Sequence, residues 1–320
     1  MSTDSNNSYD HGRMVLILGV TASGKGRLAF DLARQRDAEI VSIDSMKVYR
    51  RMDIGTAKPP PRRRQAVPYH MIDVVEPNES FSVGMFLEQS QQAIAAVRKA
   101  GRPVIAVGGT ALYIKALLQG LFEGPGSDQA IRNRLADRAR TEGLESLHRE
   151  LTRIDPIAAE RIHQNDRKRI IRALEVYRLA GRPISSFQQQ WTAQPRSSSD
   201  WILLGLRRRK QDASSRINER VKRMIEAGLV EEVRALLNEE QPLSKQARCA
   251  IGYAEIIEHL RGRMPLDKAI ERIKINTRRL AKGQRTWFKT FKDVRWLDIE
   301  SDESPRSILN RAADVLDSLD

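Results

Sequence analysis

A glycine-bounded stretch near the amino terminus constrains the fold of this chain more than any other feature. It follows the apolar residues 14–18, precedes the amphipathic residues 28–34, and consists of Gly19, Val20, Thr21, Ala22, Ser23, Gly24 and Lys25. A strand, a glycine-rich loop and a helix in that order are typical of a phosphate-binding loop, whose backbone N–H groups and helix N-terminus face an anion. The lysine adds a mobile positive charge. We therefore predict that residues 19–26 bind a phosphate or diphosphate group.

The loop departs from the usual pattern at its last position. The pattern ends in lysine followed by serine or threonine, whose hydroxyl holds Mg²⁺, and this chain has Gly26 there. The departure weakens the prediction of a metal more than that of a phosphate, and it leaves the metal ligands unknown. The alternative is a glycine-rich turn that binds nothing, which the agreement of glycines, lysine and context disfavours.

The charge balance points to a polyanionic partner. The chain of 320 residues carries 55 lysines and arginines against 41 aspartates and glutamates, a formal net charge of +14. Such an excess is typical of nucleic-acid-binding proteins, although a basic protein without that partner is the alternative. The distribution favours the first interpretation, because basic residues are concentrated at 62–64, 167–172, 207–210 and 261–292.

Cysteine content and hydropathy indicate the compartment. Cys249 is the only cysteine, which excludes an internal disulfide and a thiolate metal cluster and fits a reducing cytoplasm. Residues 1–12 are polar and lack the apolar core of a signal peptide, so we predict a disordered tail there. No segment approaches the roughly 18 apolar residues that a membrane-spanning helix needs. We expect a cytoplasmic protein with no membrane partner.

Alternating strand and helix patterns predict an α/β fold. Short apolar runs indicate buried parallel strands at 14–18, 39–43, 103–107, 201–206 and 294–297. Helical patterns fill the intervals at 80–100, 111–118, 212–227, 229–237, 250–260, 266–289 and 304–316. With the phosphate loop on the first strand, the expected fold is a P-loop NTPase-like parallel sheet flanked by helices.

An all-helical segment interrupts this alternation. Residues 124–126 form a boundary signal, and residues 128–181 show helical periodicity without an evident strand, with Ile170, Leu174 and Tyr177 on one side of a helix. We therefore predict a disordered tail at 1–12, a catalytic core at 13–125 and 198–320, and a helical insertion domain at 126–197. The prolines at 59–61 predict a loop, and the Gln- and Ser-rich residues 185–200 predict a flexible return.

Two polar residues lie at the carboxyl ends of predicted strands. Ligands of open α/β sheets bind beyond the carboxyl ends of the strands, so Asp44 is predicted to lie beside the phosphate loop, one strand away. Its carboxylate fits a helix cap, a partner of a metal ligand or a general base. Thr110 follows two glycines at the end of the run 103–107 and is predicted either to bond a ligand or to cap the next helix.

Several blocks of the sequence resemble the tRNA dimethylallyltransferases. They lie at residues 19–25, 44–49, 52–58, 107–113, 165–167, 172–177, 250–253 and 277–282, and the resemblance runs from about Val15 to Trp296. It implies transfer of a dimethylallyl group from dimethylallyl diphosphate to N6 of adenosine 37, beside the anticodon of a tRNA, with release of diphosphate. It also implies Mg²⁺ as a cofactor, although the usual hydroxyl is missing at Gly26.

The resemblance assigns roles to four residues. Thr21 donates a hydrogen bond to the bridging oxygen of the donor, and Asp44 accepts the proton of N6, which is chemically sensible because an adenine amine is a poor nucleophile. Thr110 lies near the tRNA. Arg216 meets the diphosphate from the side opposite the phosphate loop, the alternative being a solvated charge on a helix.

The resemblance further implies an RNA interface. We expect the anticodon stem-loop as the partner of a monomer. Trp287 and Phe288 stack on bases or belong to the core. The residues expected at the interface are Asp44, Ser45, Met46, Lys47, Thr110, Arg132, Lys168, Arg169, Ile170, Ile171, Arg172, Cys249, Ala250, Ile251, Gly252, Tyr253, Ala254, Lys282, Gly283, Gln284, Arg285, Thr286, Trp287, Phe288 and Lys289.

The chain departs from the family pattern at four positions. Gly26 replaces a hydroxyl residue, Val20 replaces a common proline, Lys47 replaces a frequent glutamine, and Gly283 interrupts an Ala-Lys-Arg-Gln pattern. The last change removes a charge that faces the tRNA and costs roughly 1 kcal/mol of helix propensity. The change to Lys47 replaces an amide with a cation at a position where the resemblance implies contact with the target base.

Two other functions compete with the transferase. A small-molecule kinase would use ATP in the same loop, with Asp44 for the metal and Arg132 and Arg134 as a lid, but it leaves the basic carboxy-terminal helices unexplained. A tRNA-binding relative without activity is suggested by Gly26 and Gly283.

Overall fold

The structure is a computed structural model that describes residues 13–121, 124–188 and 200–319. The predicted amino-terminal tail, and residues 189–199 of the predicted return, lie outside the described residues. The chain divides into two compact units, whose described residues are 13–118 and 200–319 in the first and 119–121 and 124–188 in the second.

A parallel six-stranded sheet forms the centre of the described part of the first unit, in the order β3-β2-β4-β1-β5-β6. The predicted strands are confirmed within one or two residues at their ends. The pair Tyr69–His70 was not predicted, because two residues are too short to show a strand period. The strands are β1 Met14–Gly19, β2 Glu39–Ile43, β3 Tyr69–His70, β4 Val104–Gly108, β5 Trp201–Arg208 and β6 Arg295–Ile299.

Helices of the first unit cover both faces of the sheet. Alternate strand residues enter two cores: Leu16 and Leu18 pack on the side of α3, α4, α10, α11, α13 and α14, whereas Ile17 packs with α1 and α15. These helices are α1 Lys25–Gln35, α2 Pro61–Ala66, α3 Val83–Lys99, α4 Ala111–Gln119, α10 Lys210–Glu226, α11 Leu229–Leu237, α12 Lys245–Arg248, α13 Tyr253–Leu260, α14 Leu266–Phe288 and α15 Pro305–Asp317.

Helix ends explain most differences from the predicted boundaries. Helix α3 begins after Ser82 because the Ser82 side chain accepts a hydrogen bond from the N–H of Met85. The predicted loop at 59–61 is wrong at its last residue, since Pro61 opens α2; a proline fits the first turn of a helix, where its missing N–H is not needed. Helix α13 begins at Tyr253 rather than at 250, and the short α12 precedes it.

The second unit is helical in all its described elements. They are α5 Gln129–Thr141, α6 Leu144–Ile154, α7 Pro156–Arg161, α8 Arg167–Ala180 and α9 Ile184–Gln188. Leu135, Leu147, Ile170 and Leu174 belong to its separate core, and the burial of Ile170 and Leu174 confirms the predicted helical face. Tyr177 does not share their burial: its side chain is 37 % exposed.

The strand order corrects the predicted position of Asp44. Strand β4 pairs with both β1 and β2, so Asp44 at the end of β2 is two strands from the phosphate loop, not one. Strand order is a non-local property, which the run of strands along the sequence does not reveal. The carboxyl ends of β1, β4 and β2 nevertheless point to the same edge of the sheet, where Gly19 ends β1 and Thr110 and Asp44 come after β4 and β2.

Candidate active site

The phosphate loop has the backbone of an anion cradle. Gly24 caps α1 with φ 102°, and Ala22 also lies in the left-handed region with φ 63°, a conformation that L-residues rarely adopt outside functional loops. Lys25 is the first residue of α1, and its ammonium donates a hydrogen bond to the carbonyl oxygen of Val20 at 3.2 Å. The loop therefore turns its lysine and the helix N-terminus toward one point.

Three side chains from other elements brace this loop. Arg208 Nε donates to the Ser23 carbonyl at 3.0 Å, and Arg216 Nε donates to the Ala22 carbonyl at 2.9 Å. Gln284 Oε1 accepts the N–H of Thr21 at 2.8 Å. Burial, with Arg216 nearby, lowers the pKa of Arg208. Contacts from β5, α10 and α14 thus hold the backbone of three successive loop residues, Thr21, Ala22 and Ser23.

Asp44 and Thr110 organise the turn that faces the loop. Asp44 Oδ1 accepts the N–H groups of Met46 at 2.9 Å and Lys47 at 3.3 Å. Thr110 Oγ1 accepts the N–H of Ser45 at 3.1 Å. Asp44 therefore closes a turn, not the helix that its predicted capping role required, because no helix begins in the described residues between β2 and α2. The Thr110 side chain bonds the same turn.

A cluster of cations surrounds the Asp44 carboxylate. Burial lowers the pKa of Lys25 to about 7, with further lowering by Lys47 and Arg220 and an opposing effect of Asp44. Burial likewise lowers the pKa of Lys47 and of Arg220, while Asp44 raises both. Three cations near one carboxylate leave a local excess of positive charge, which favours binding of an anion in this region.

A cavity of about 1010 Å³ opens between the loop and this cluster. Its walls carry the cations Lys25, Lys47, Arg216, Arg220 and Arg223, the last three spaced along one face of α10. Helix α14 supplies another wall through Leu280, Gly283, Gln284 and Trp287, which share one helical face. The arrangement is suited to a multiply charged anion with an organic group attached.

A second cavity, of about 290 Å³, is lined by some of the same residues. Thr21, Asp44 and Arg220 line both cavities. The other walls of the second cavity are mainly apolar and come from α10, α14 and the segment before α13; they include Ile217, Val221, Met224, Ile251 and Ile273. Ser45, Met46 and Leu280 also line both cavities, so a charged compartment and a mainly apolar one meet along a boundary that includes the Thr21 hydroxyl and the Asp44 carboxylate.

The structure brings together the four residues predicted to be catalytic. Thr21, Asp44, Thr110 and Arg216 all line the larger cavity. The predicted binding loop contributes unequally, since Ala22, Gly24, Lys25 and Gly26 line the cavity whereas Gly19, Val20 and Ser23 lie beneath it. Ser23 is fully buried, and Val20 is 7 % exposed.

Several residues predicted to contact RNA have side chains that are buried in the protein core. The side chains of Ile170 and Tyr253 are fully buried, and that of Phe288 is 2 % exposed, so these three belong to the core. Tyr253 donates its hydroxyl to Glu232 at 2.6 Å. Gln284 is bonded inside the protein, as described above. Ala250 is also buried, although it borders the smaller cavity.

The remaining predicted RNA residues divide between cavity walls and open surface. Ser45, Met46, Lys47, Gly283 and Trp287 line the larger cavity. Cys249, Ile251 and Gly252 line the smaller one. Ala254 and Arg285 are half-buried, and the exposed members in the first unit are Lys282, Thr286 and Lys289.

The RNA residues predicted in the second unit include two that are engaged in an ion cluster. Arg132 and Arg172 both pair with Glu175, at 2.8 Å and 2.7 Å. Lys168 and Arg169 are exposed at the start of α8, and Ile171 is half-buried. The arginine lid proposed for a kinase loses Arg132 to this structural pairing.

Sequence reasoning missed Arg208, Arg220 and Arg223. The spacing of Arg216, Arg220 and Arg223 places them on one face of a helix, a signal that was present in the sequence. Arg208 carries no such signal, because its role depends on β5 lying beside β1.

Neither a membrane helix nor a metal cluster is found among the described residues. No helix in residues 13–121, 124–188 and 200–319 combines the length and apolar character needed to cross a membrane. The same part of the chain holds no group of three His, Cys, Asp or Glu side chains suited to a metal ion.

Comparisons with known proteins agree with this geometry. The family model described as IPP transferase matches residues 47–291. The tRNA dimethylallyltransferase of Geobacter metallireducens is 48 % identical over 89 % of this chain and 92 % of its own length. The tRNA dimethylallyltransferase 2 of Geotalea uraniireducens is 46 % identical over 94 % of this chain and 96 % of its own length.

Solved structures extend the similarity to the fold. The tRNA isopentenylpyrophosphate transferase of Bacillus halodurans is similar with a TM-score of 0.68 and 36 % identity, covering 96 % of this chain and 97 % of that one. A eukaryotic dimethylallyltransferase acting on tRNA is similar with a TM-score of 0.77 and 25 % identity, covering 96 % of this chain and 80 % of that one. The chain therefore belongs to the IPP transferase family, on a P-loop NTPase-like fold with a helical insertion.

Proposed function

We propose that this chain transfers a dimethylallyl group from dimethylallyl diphosphate to N6 of adenosine 37, next to the anticodon of a tRNA, and releases diphosphate. The observation that carries the proposal is the meeting of a cation-rich cavity and an apolar cavity at Thr21 and Asp44. An anionic leaving group and a nucleobase can approach one carboxylate from two sides there. The names of the similar proteins support the same reaction.

The donor end of the reaction is assigned to the phosphate loop. The C–O bond of the donor breaks with its electron pair on the diphosphate, where Lys25 and the loop N–H groups stabilise the growing negative charge. The Thr21 hydroxyl donates to the bridging oxygen. Arg216 braces the loop through Nε, and Arg220 faces the same space from the next turn of α10.

The acceptor end is assigned to Asp44. The N6 lone pair forms the new C–N bond, and the N6 proton passes to the carboxylate. Asp44 Oδ1 already accepts two backbone N–H groups, which fixes the carboxylate while the other oxygen is not used in those bonds. To reach this point, the adenosine must leave the stack of the anticodon loop and enter the smaller cavity.

The partner and state of the protein follow from the same proposal. The anticodon stem-loop is the expected RNA element. The exposed Lys282 on α14, Lys289 at its carboxyl end, and Lys168 and Arg169 on α8 offer charges for phosphate contacts. We propose a cytoplasmic monomer whose catalytic core is 13–125 and 198–320 and whose helical insertion contacts the tRNA.

Mg²⁺ is proposed to enter bound to the diphosphate rather than to a loop hydroxyl. Gly26 has no side-chain oxygen, so the residues at this position do not fit the usual ligand set. Gly26→Thr restores the hydroxyl, and a Cβ there meets nothing within 4 Å. The variant should bind Mg²⁺ more tightly in calorimetry with diphosphate and need less Mg²⁺ for half-maximal transfer. Unchanged titrations would show that the metal is not held at this position.

Labelled substrates test the reaction itself. The protein is incubated with labelled dimethylallyl diphosphate or labelled ATP, each with and without tRNA, and the tRNA is digested for mass analysis. Label in tRNA from the prenyl donor only, with five added carbons on the adenosine beside the anticodon, is the expected result. Label on a small molecule from ATP would support a kinase. Retention of tRNA without transfer would support an inactive binding protein.

A further inference from the structure

The side chain of Gln284 joins two loops of the active site. Its Oε1 accepts the N–H of Thr21 in the phosphate loop at 2.8 Å, and its Nε2 donates to the carbonyl oxygen of Gly109, after β4, at 2.9 Å. The side chain is 9 % exposed. Helix α14 thus reaches two strand ends that are 263 and 175 residues away in the sequence.

A primary carboxamide is suited to this place. One loop offers a donor and the other an acceptor, and Gln284 presents an acceptor and a donor on one planar group. Leaving either backbone group without a partner in a buried site costs free energy, so the contact fixes both peptides. Gly109 belongs to the same arrangement, because a Cβ there would lie 2.5 Å from Gln284 Nε2.

The contact lies beside the chemistry without touching the reacting atoms in the bonds described. Thr21 carries the hydroxyl assigned to the bridging oxygen of the donor, and its peptide orientation sets where that hydroxyl points. Ala22, the next residue, is held by Arg216 from α10. The other members of the α14 face, Leu280 and Trp287, line the cavity on both sides of Gln284.

We infer that Gln284 is a positioning residue for the donor end of the reaction, fixing the Thr21 peptide against the Gly109 loop. The inference rests on the proposed function. It replaces the RNA contact that the resemblance assigned to this residue. It also separates Gln284 from Lys282 on α14 and from Lys289 at the carboxyl end of that helix, whose side chains are exposed.

Gln284→Met is the first test, because methionine keeps the length and bulk of the side chain but neither hydrogen bond. Binding of dimethylallyl diphosphate is measured by calorimetry without tRNA, and transfer is measured with it. We expect the donor Kd and the donor KM to rise about tenfold, with the KM for tRNA unchanged, since misplacing one loop peptide weakens the donor contacts selectively. Gln241→Met is the matched control: it removes an exposed glutamine bonded to Asn78 and should change neither constant.

A purely structural role predicts a different result. The melting temperature and the active fraction would then fall, whereas the donor Kd of the folded protein would stay at the wild-type value. Wild-type donor binding by Gln284→Met would therefore overturn the inference. If the wild type still transfers the dimethylallyl group, that result leaves the proposed function intact. Failure of the wild type to bind the donor would overturn both the inference and the proposed function.

Gly109→Ala tests the same contact from the other loop. The added methyl group displaces the carboxamide while Gln284 remains in the sequence, so this variant should also raise the donor Kd about tenfold. In Gln284→Ala the obstacle is gone, and adding Gly109→Ala should have little further effect. A donor Kd of the double variant about tenfold above wild type supports the inference. A Kd about a hundredfold above wild type, which is the value for two independent effects, would contradict it.

Discussion

Buried charge is handled in opposite ways in the two units. In the second unit the Glu175 side chain is 0 % exposed and accepts hydrogen bonds from Arg132, Arg172 and the N–H of Asp128. Burial opposes ionisation of Glu175, but these hydrogen bonds hold its pKa below the usual range. The carboxylate is thus fully compensated by the protein itself.

The first unit gathers cations instead. Lys25, Lys47 and Arg220 share one carboxylate, Asp44, in their immediate electrostatic surroundings, and burial lowers the pKa of all three. The difference teaches how to separate structural charge from functional charge. A buried charge whose hydrogen bonds and ion pairs are complete is part of the fold. Several cations that share one carboxylate beside a cavity indicate an anion-binding site.

Asp44→Asn is expected to have the largest effect, because it removes the carboxylate from the cation cluster. The amide oxygen can still accept the N–H of Met46, so the turn persists while the proton acceptor is lost. The transfer rate should fall about 10²- to 10⁴-fold, the usual contribution of a general base, with tRNA binding nearly intact. Single-turnover transfer and tRNA retention measure the two. Asp128→Asn, which keeps the cap of α5, is the control, and normal turnover by Asp44→Asn would contradict the role of Asp44.

Glu175→Gln should make the second unit resemble the first by leaving two arginines without their carboxylate. We expect the free energy of unfolding to drop by about 3 kcal/mol, at the low end for a broken buried pair because the arginines are partly exposed and can be hydrated. Denaturant unfolding measures it. Glu150→Gln is the matched control: Glu150 also bridges two arginines but is 32 % exposed, so about 0.5 kcal/mol is expected. Equal losses would show that burial does not distinguish the clusters.

Local patterns predicted the parts of the site that sit on one segment. The glycines and Lys25 define the phosphate loop by spacing alone, and a short apolar run places Asp44 at a strand end, where ligands bind. The helical period predicted the buried positions Ile170 and Leu174 in the second unit.

Contacts between distant segments were beyond the sequence. The insertion of β4 between β1 and β2 moved Asp44 one strand further from the loop, because strand order is set by tertiary packing. Arg132 was predicted to contact RNA, but in the structure it pairs with Glu175, 43 residues away in the sequence. Gln284 was predicted to contact RNA because the sequence does not show that Thr21, its hydrogen-bond partner, lies beside it in the fold.

The donor affinity should depend on pH through Lys25. Its ammonium is charged below its pKa of about 7, and above that pH the free protein must take up a proton to bind the anion in the charged form. The Kd for dimethylallyl diphosphate without tRNA should therefore show a break near pH 7 and rise up to tenfold for each pH unit above it. Lys47→Met removes a neighbouring cation that lowers this pKa, so the break should move to higher pH. A break at the same pH in both proteins would refute the coupling.

The smallest expected effect compares one glycine in each unit. Gly283 lies inside α14 and Gly181 ends α8 with φ 65°, and a Cβ at either meets nothing within 4 Å. Backbone conformation alone then decides the sign. Gly283→Ala should raise the free energy of unfolding by about 1 kcal/mol through helix propensity. Gly181→Ala should lower it by about 1 kcal/mol, because alanine is strained in the left-handed region. Calorimetry measures both changes. If the two units unfold in separate transitions, each variant should shift only the transition of its own unit. If they unfold in one transition, Gly283→Ala should raise its temperature and Gly181→Ala should lower it.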